Sequence, residues 1–249
     1  VNTRKRPLHT MKKNIALLLL ALCPLLLTAQ NCFNAGFETG TLEGYETYLG
    51  EIQEDGTVTI PYPGPGLNRH TIVYREDDPD PIAAEFCDIN SILPPVPDGG
   101  GQFAMRLGNS SAGAQAERVL LRFTVTEELT YFLLHYAVVL NDPDHQHFEQ
   151  PRFELRIRDG NGNPFPCGEY LVRAAEHIPG FETCEEGWRV RPWTAAGFEL
   201  QSYLGQEIQI EILTTDCSQG AHAGYAYMDA NCQPLQIEID GYCPDSEVV

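Results

Sequence analysis

Lysine is missing from the chain beyond Lys13. Five of the 16 Lys and Arg residues lie in the first 13 positions, which leaves 11 basic residues against 35 Asp and Glu, a net charge of −24. So acidic a chain repels nucleic acid and anionic membranes, and it favours solubility and cation binding. Disorder does not follow, because aromatic and β-branched residues are mixed among the acids.

Long apolar runs are also scarce. The single one, from Ile15 to Leu27, follows Lys12 and Lys13 and precedes the small residue Ala29. Residues 11–29 read as a secretory signal peptide, too short and wrongly flanked for a stable membrane span. No other stretch could cross a bilayer, so no membrane insertion is expected after cleavage. Residues 1–10 read as an extension produced by a misplaced translation start. Cys23 raises the question of a lipid anchor, but Leu22 and Pro24 beside it do not suit a lipoprotein signal. The expected location is secreted or cell-surface.

The usual catalytic motifs are missing too. There is no GxSxG, no HExxH and no phosphate loop, and no carboxylate pair stands out for glycoside hydrolysis. No CxxC spacing occurs, which excludes a zinc ribbon. Long amphipathic helix patterns and internal repeats are absent. A non-catalytic protein is expected.

What remains is a chain of short strands broken by Gly, Pro and Asn turns. Arg152 to Arg158 and Gln206 to Thr214 alternate strictly between apolar and polar residues. Arg118 to Thr126 places Val119, Leu121, Phe123 and Val125 on one face. Tyr131 to Leu140 is almost wholly apolar and reads as a central strand covered on both faces, with His135 a core histidine. Further strands are expected at Trp188 to Trp193 and Tyr225 to Asp229. The region from Glu51 to Pro97, rich in Pro, Asp and Gly, reads as long loops. Asp159-Gly160-Asn161-Gly162-Asn163 reads as a hairpin turn. The predicted fold is all-β, an antiparallel jelly-roll β-sandwich over residues 31–240.

Seven cysteines lie beyond the signal. Export makes disulfides the default, and local spacing pairs Cys217 with Cys232 and Cys167 with Cys184, with Cys32–Cys87 a further pair. Cys243 is then left over. Residues 241–249 read as a linker or the start of another module.

Three constellations could carry chemistry. Glu38 and Asp229, with Gly36 and Gly40 to bend the backbone, offer the hard oxygen ligands of a calcium site joining the first and last strands. Asp142, His145, His147, Gln150 and Arg152 lie after one strand, and Asp216 and His222 after another. If both loops open at one end, His145 and His222 could meet and bind a transition metal or a ligand. The alternative is that these side chains satisfy loop carbonyls. Finally, Tyr45, Tyr48, Trp188 and Trp193 could stack on sugar faces.

Several segments resemble one family. They are Arg69-His70-Thr71-Ile72, Arg106-Leu107-Gly108-Asn109, Tyr136 to Leu140 with Gln150-Pro151-Arg152-Phe153, and Asp216 through Asp229. They look like the N-terminal domain of large secreted surface proteins from gliding and related bacteria. Such proteins continue into PKD or other immunoglobulin-like repeats and a type IX sorting signal. Where that family has Gly-Gly-His-Phe-Gly, this chain has Gly220-Ala221-His222-Ala223-Gly224. Gly36-Phe37-Glu38 and Tyr227-Met228-Asp229 resemble galactose-binding-like carbohydrate-binding modules, in which a structural calcium joins the same two strands. The resemblance implies an adhesion module that contacts an extracellular glycan or cell-surface ligand, with further immunoglobulin-like modules in the parent chain. It adds Arg69, His70, Arg106, Asn109 and Tyr225 as candidate ligand-binding residues. The alternatives are a purely structural cap and a secreted hydrolase.

Overall fold

The computed structural model describes residues 33–88, 92–175 and 177–234, without the side chains of residues 166 and 167. The expected signal peptide, the trailing segment, Cys23, Cys32 and Cys243 lie outside them.

In chain order the strands are β1 (Tyr45–Ile52), β2 (Val58–Pro63), β3 (His70–Tyr74), β4 (Phe103–Leu107), β5 (Gln115–Thr124) and β6 (Tyr131–Asn141). They continue as β7 (Arg152–Asp159), β8 (Pro164–Arg173), β9 (Glu182–Thr183), β10 (Trp188–Glu199), β11 (Glu207–Thr215) and β12 (Gly224–Gln233). One short helix, α1 (Pro81–Phe86), lies between β3 and β4. Two six-stranded sheets form, β2-β1-β5-β11-β7-β8 and β3-β4-β12-β6-β10-β9, and every pairing is antiparallel. This is the expected jelly-roll sandwich. Among the described residues no helix is long and apolar enough to cross a membrane.

Alternation places the core. Phe153, Leu155 and Ile157 of β7 and Ile208, Ile210 and Ile212 of β11 meet Phe132, Leu134, Val138 and Leu140 of β6. The intervening residues Ala137 and Val139 face the other way. There they join Val73, Ala104, Tyr225 and Tyr227 in a second apolar cluster on the outer face of the second sheet. Ala83 of α1 with Leu93 and Val96 covers that cluster. The upper half of β6 is therefore buried on both faces, as its composition predicts.

Some expectations need correction. Glu38 lies in a turn ahead of β1, not in a strand. Phe37 takes a left-handed conformation there (φ 62°), its N–H donates to Asn34 O, and its ring is fully buried against Tyr45 at 4.7 Å. The region read as long loops contains β2, β3 and α1. Two of the four expected stacking aromatics are spent internally: Tyr45 packs on the core and Trp188 is buried. Tyr48 is covered by the Arg118 guanidinium, 4.2 Å above its ring.

The disulfide expectations fail. Cys87 is bonded to Cys184, so neither Cys167–Cys184 nor Cys32–Cys87 forms. Cys232 is also disulfide-bonded, but Cys217 is a free, buried thiol. The reason is strand length. Cys217 precedes β12 and Cys232 sits near its far end, and eight residues of extended chain from Gly224 span roughly 26 Å. Cys87 closes α1, which packs on β10 next to Cys184.

Candidate ligand groove and loop cluster

The lower half of the second sheet leaves its outer face open. Asp229 of β12, His135 of β6 and Ala195 of β10 are cross-strand neighbours in one rung. Asn231, Leu133 and Gly197 form the next same-face rung. Two clefts sit on this floor. The first, of about 370 Å³, is lined by Asn34, Gly36, Glu38, Gly100, His135, Asp229 and Asn231 among others. The second, of about 300 Å³, is lined by Ile92, Pro94, Asp98, His135, Trp193 and Ala195 among others. His135 belongs to both, so the clefts adjoin. It is a half-buried groove residue, not the core histidine expected, and partial burial holds its pKa below the usual histidine value. Strand parity decides this: His135 shares the face of Ala137, beyond the reach of the covering helix.

Trp193 stands at the groove wall because of a bulge. Arg191 pairs with Val138 and Thr194 with Tyr136, so β10 carries one extra residue at Pro192-Trp193. Proline cannot donate to the ladder and is confined to such irregularities. The bulge turns the indole toward the cleft, its Nε1 donates to Pro94 O at 2.8 Å, and Tyr227 packs 6.2 Å away.

At the other cleft two carboxylates approach. Glu38 accepts from the backbone N–H groups of Gln102 (3.1 Å) and Phe103 (3.3 Å). A Cβ on Gly101 would fall 1.9 Å from Glu38 Oε1, and one on Gly100 2.5 Å from Asp229 Oδ2. Only glycine leaves room for both carboxylates. Burial, and then the charge of Glu38, push the Asp229 carboxyl up to about 7. Arg75 opposes this, but its guanidinium is engaged by the carbonyls of Pro97, Gly100 and Gly101, and its effect is the weakest of those acting on Asp229. A buried carboxylate, Asp229, with the exposed carboxylate of Glu38 beside it in a glycine cradle is a donor set that suits a hard cation. Gly40 sits in a left-handed turn against the Phe103 ring, and it is not among the residues lining this cleft.

No family model matches the sequence, and no curated protein matches it either. Solved structures do overlay. TmCBM61, solved with β-1,4-galactotriose, is 10% identical with a TM-score of 0.41, over 82% of this chain and 99% of its own. The CBM27-1 module of Caldicellulosiruptor saccharolyticus, solved with mannohexaose, is 11% identical with a TM-score of 0.38, over 82% of this chain and 97% of its own. The enzymatically active domain of bacteriophage CBA120 tailspike protein 4 is 11% identical with a TM-score of 0.37, over 81% of this chain and 21% of its own.

The residues suggested by family resemblance turn inward. Arg69 donates to Glu117, Gly50 O and Ala116 O, clasping the segment before β3 to the first sheet. His70 accepts from Gly66 N–H at Nδ1, and its Nε2 lies 3.2 Å from Arg118 O. Burial lowers its pKa to about 4, so it is the neutral imidazole that bridges the two sheets. Arg106 lies beside Tyr227, and Asn109 caps its own turn through Ser111 N–H. Gly108 (φ 84°) lets that turn approach β12, where a Cβ would meet Tyr225 Cβ at 2.9 Å. Tyr225 is buried, with its hydroxyl on Asp80. In the two end loops Asp216 accepts from Gln115 and Gly224 N–H groups, Arg152 pairs with Glu154, and Asp142 pairs with Arg189. Gln150 donates to Asp142 and to His145 O. His145 and His222 do meet, their rings perpendicular and 5.2 Å apart. His147 is exposed.

Proposed function

We infer that the chain is a non-catalytic glycan-binding module whose ligand lies along the groove between Trp193 and Asp229. The observation that carries the reading is the Trp193 indole, held by Pro94 at the wall of an open cleft and flanked by Asp98 and His135. A fixed aromatic face with a few polar groups around it is how a binding cleft recognises an amphipathic sugar ring. Setting, secretion and a place at the front of a longer surface protein with immunoglobulin-like repeats and type IX export belong to the same proposal. They rest on the signal-like residues 11–29 and the motif resemblance.

Screening the protein on a glycan array should give discrete positives, and Trp193→Ala should weaken the best of them at least about tenfold. Blank arrays, or affinity unchanged by Trp193→Ala, would remove this reading. A second reading has one observation in its favour: Glu38 and Asp229 share a cleft and one has a raised pKa, as in a glycosidase acid pair. Against it, both Glu38 oxygens accept from the single backbone N–H of Gln102, under Gly101. Product release from a bound oligosaccharide would favour the hydrolase.

Calcium is the cation we assign to Glu38 and Asp229, as a tie between the segment ahead of β1 and the last strand. It would neutralise the pair and hold the groove floor against the Gly99–Gly101 wall. Millimolar calcium should raise the melting temperature. A hundredfold excess over Kd corresponds to about 2.7 kcal/mol. Asp229→Ala should abolish the difference between calcium and EDTA. In EDTA, stability should fall as pH rises from about 4 through 7, because the folded Asp229 holds its proton to about 7 while the unfolded carboxyl releases it near 4. Identical melting curves with calcium and EDTA would exclude the site.

A further inference from the structure

The two loops at the other end of the sandwich bring together three side chains that the groove does not use. His145 comes from the β6–β7 loop, and Cys217 and His222 from the β11–β12 loop. Each offers one ligand atom, and these atoms all lie within 4.8 Å of one another. The loops are joined by a backbone bond, Ser218 N–H to Glu149 O at 2.9 Å, and by Gln219 donating to Glu149. The cluster is therefore placed by main-chain geometry and not by one flexible side chain.

We propose that His145, Cys217 and His222 bind one zinc ion through two imidazoles and a thiolate, with a fourth position open. Three observations carry it. Cys217 is fully buried and still a free thiol, in a chain whose Cys87, Cys184 and Cys232 are all oxidised. Its Sγ lies 3.5 Å from His222 Nδ1. Zn–S and Zn–N bonds of about 2.3 and 2.05 Å at a tetrahedral angle give an S···N edge of roughly 3.6 Å, so this pair is already at ligand spacing. Finally, three buried polar atoms in the same two loops have no hydrogen-bond partner: His145 Nδ1, Gln150 Oε1 and Ser218 Oγ. Natural proteins seldom leave such atoms orphaned unless an ion or water meets them.

Of the charges acting on His222, that of His145 is repulsive and that of Asp142, the smaller effect, attractive; Asp142 is itself engaged by Arg189 and Gln150, so it supplies negative potential without competing as a free ligand. A Cys–His nucleophile would use the same pair, but the sulfur is buried away from any large substrate, and only a small ion or small reagent reaches it as the two loops open locally. On binding, the thiol proton passes to solvent and the sulfur donates its electron pair to zinc. The ion then staples the β6–β7 loop to the β11–β12 loop through Cys217, the cysteine whose sequence spacing suggests a bridge to Cys232 instead.

The test is a cobalt(II) titration of the chelator-treated full chain, without reductant. One equivalent should produce a near-ultraviolet thiolate-to-cobalt charge-transfer band, and added zinc should remove it. Cys217→Ser should lose the band. His145→Ala and His222→Ala should each weaken binding at least about tenfold. Asp229→Ala should leave the band intact, which separates this site from the calcium site. Should Cys217→Ser fail to fold, the wild type still decides. Zinc should slow alkylation of Cys217 at least about tenfold, and His222→Ala should abolish that protection. No charge-transfer band at saturating cobalt, a band that survives Cys217→Ser, or alkylation indifferent to zinc would overturn the proposal.

Discussion

Replacing Cys87 and Cys184 together by serine should lower the stability of the protein by about 4 to 5 kcal/mol. The bridge closes a loop of 97 residues in sequence, and chain-entropy closure at that length corresponds to roughly 4.7 kcal/mol. Its position adds a functional consequence. Cys87 is the C-cap of α1, and the segment that follows runs through Ile92, Pro94 and Asp98 at the groove wall. Cys184 precedes β10, which carries Trp193. The bridge therefore holds both walls of one cleft in fixed relation. Urea titration of the double variant should shift the midpoint down, and its glycan affinity should fall even where it remains folded. A loss below about 1 kcal/mol would mean that apolar packing of Phe86 on Trp188 already closes this face without the covalent link.

The parts of the fold that were legible are those with a periodic signal. β7 and β11 alternate strictly because one face meets the core and the other carries charged residues that pair across it, Arg152 with Glu154 and Arg156 with Glu211, so their bounds could be read within a residue or two. β2 could not, because Pro61 and Pro63 mark it as broken. It is an edge strand, where a missing N–H costs no ladder bond. The hairpin Asp159–Asn163 was readable because Asp159 bonds the N–H groups of Asn161 and Asn163 locally. Disulfide pairing was not, since spacing along the chain says little about which strand ends meet in space. His135 was misplaced because an apolar strand hides its parity until the extent of the covering segment is known. The meeting of His145 and His222 was legible, since both follow strands that end on the same edge of the sandwich. Cys217 as their partner was not, because an exported chain reads a cysteine as half a bridge.

Asp80→Ala should destabilise the protein by about 4 kcal/mol, through two losses at one carboxylate. Asp80 is buried and caps α1, its Oδ1 accepting from Ala83 N–H at 2.8 Å. Its Oδ2 accepts from the hydroxyls of Tyr225 (2.8 Å) and Tyr227 (2.9 Å) on β12. Burial first, and then the Asp80 charge, push both phenols well above their ordinary pKa, so they stay protonated and donate. Loss of an N-cap costs about 1 kcal/mol, and each buried hydroxyl left unpaired costs about 1 to 3 kcal/mol. Asp80-Pro81 is an N-cap followed by proline at the first helical position, a start signal present in the sequence within a stretch read as loop. The contact also explains why Tyr225 resembles a ligand residue without being open to one. It fixes the covering segment that the groove is cut beside. Adding Tyr225→Phe and Tyr227→Phe to Asp80→Ala should recover part of the loss, because removing both partners leaves no orphaned donor. If the triple variant is instead less stable than Asp80→Ala alone, the hydroxyls have other partners and the account of this clasp fails.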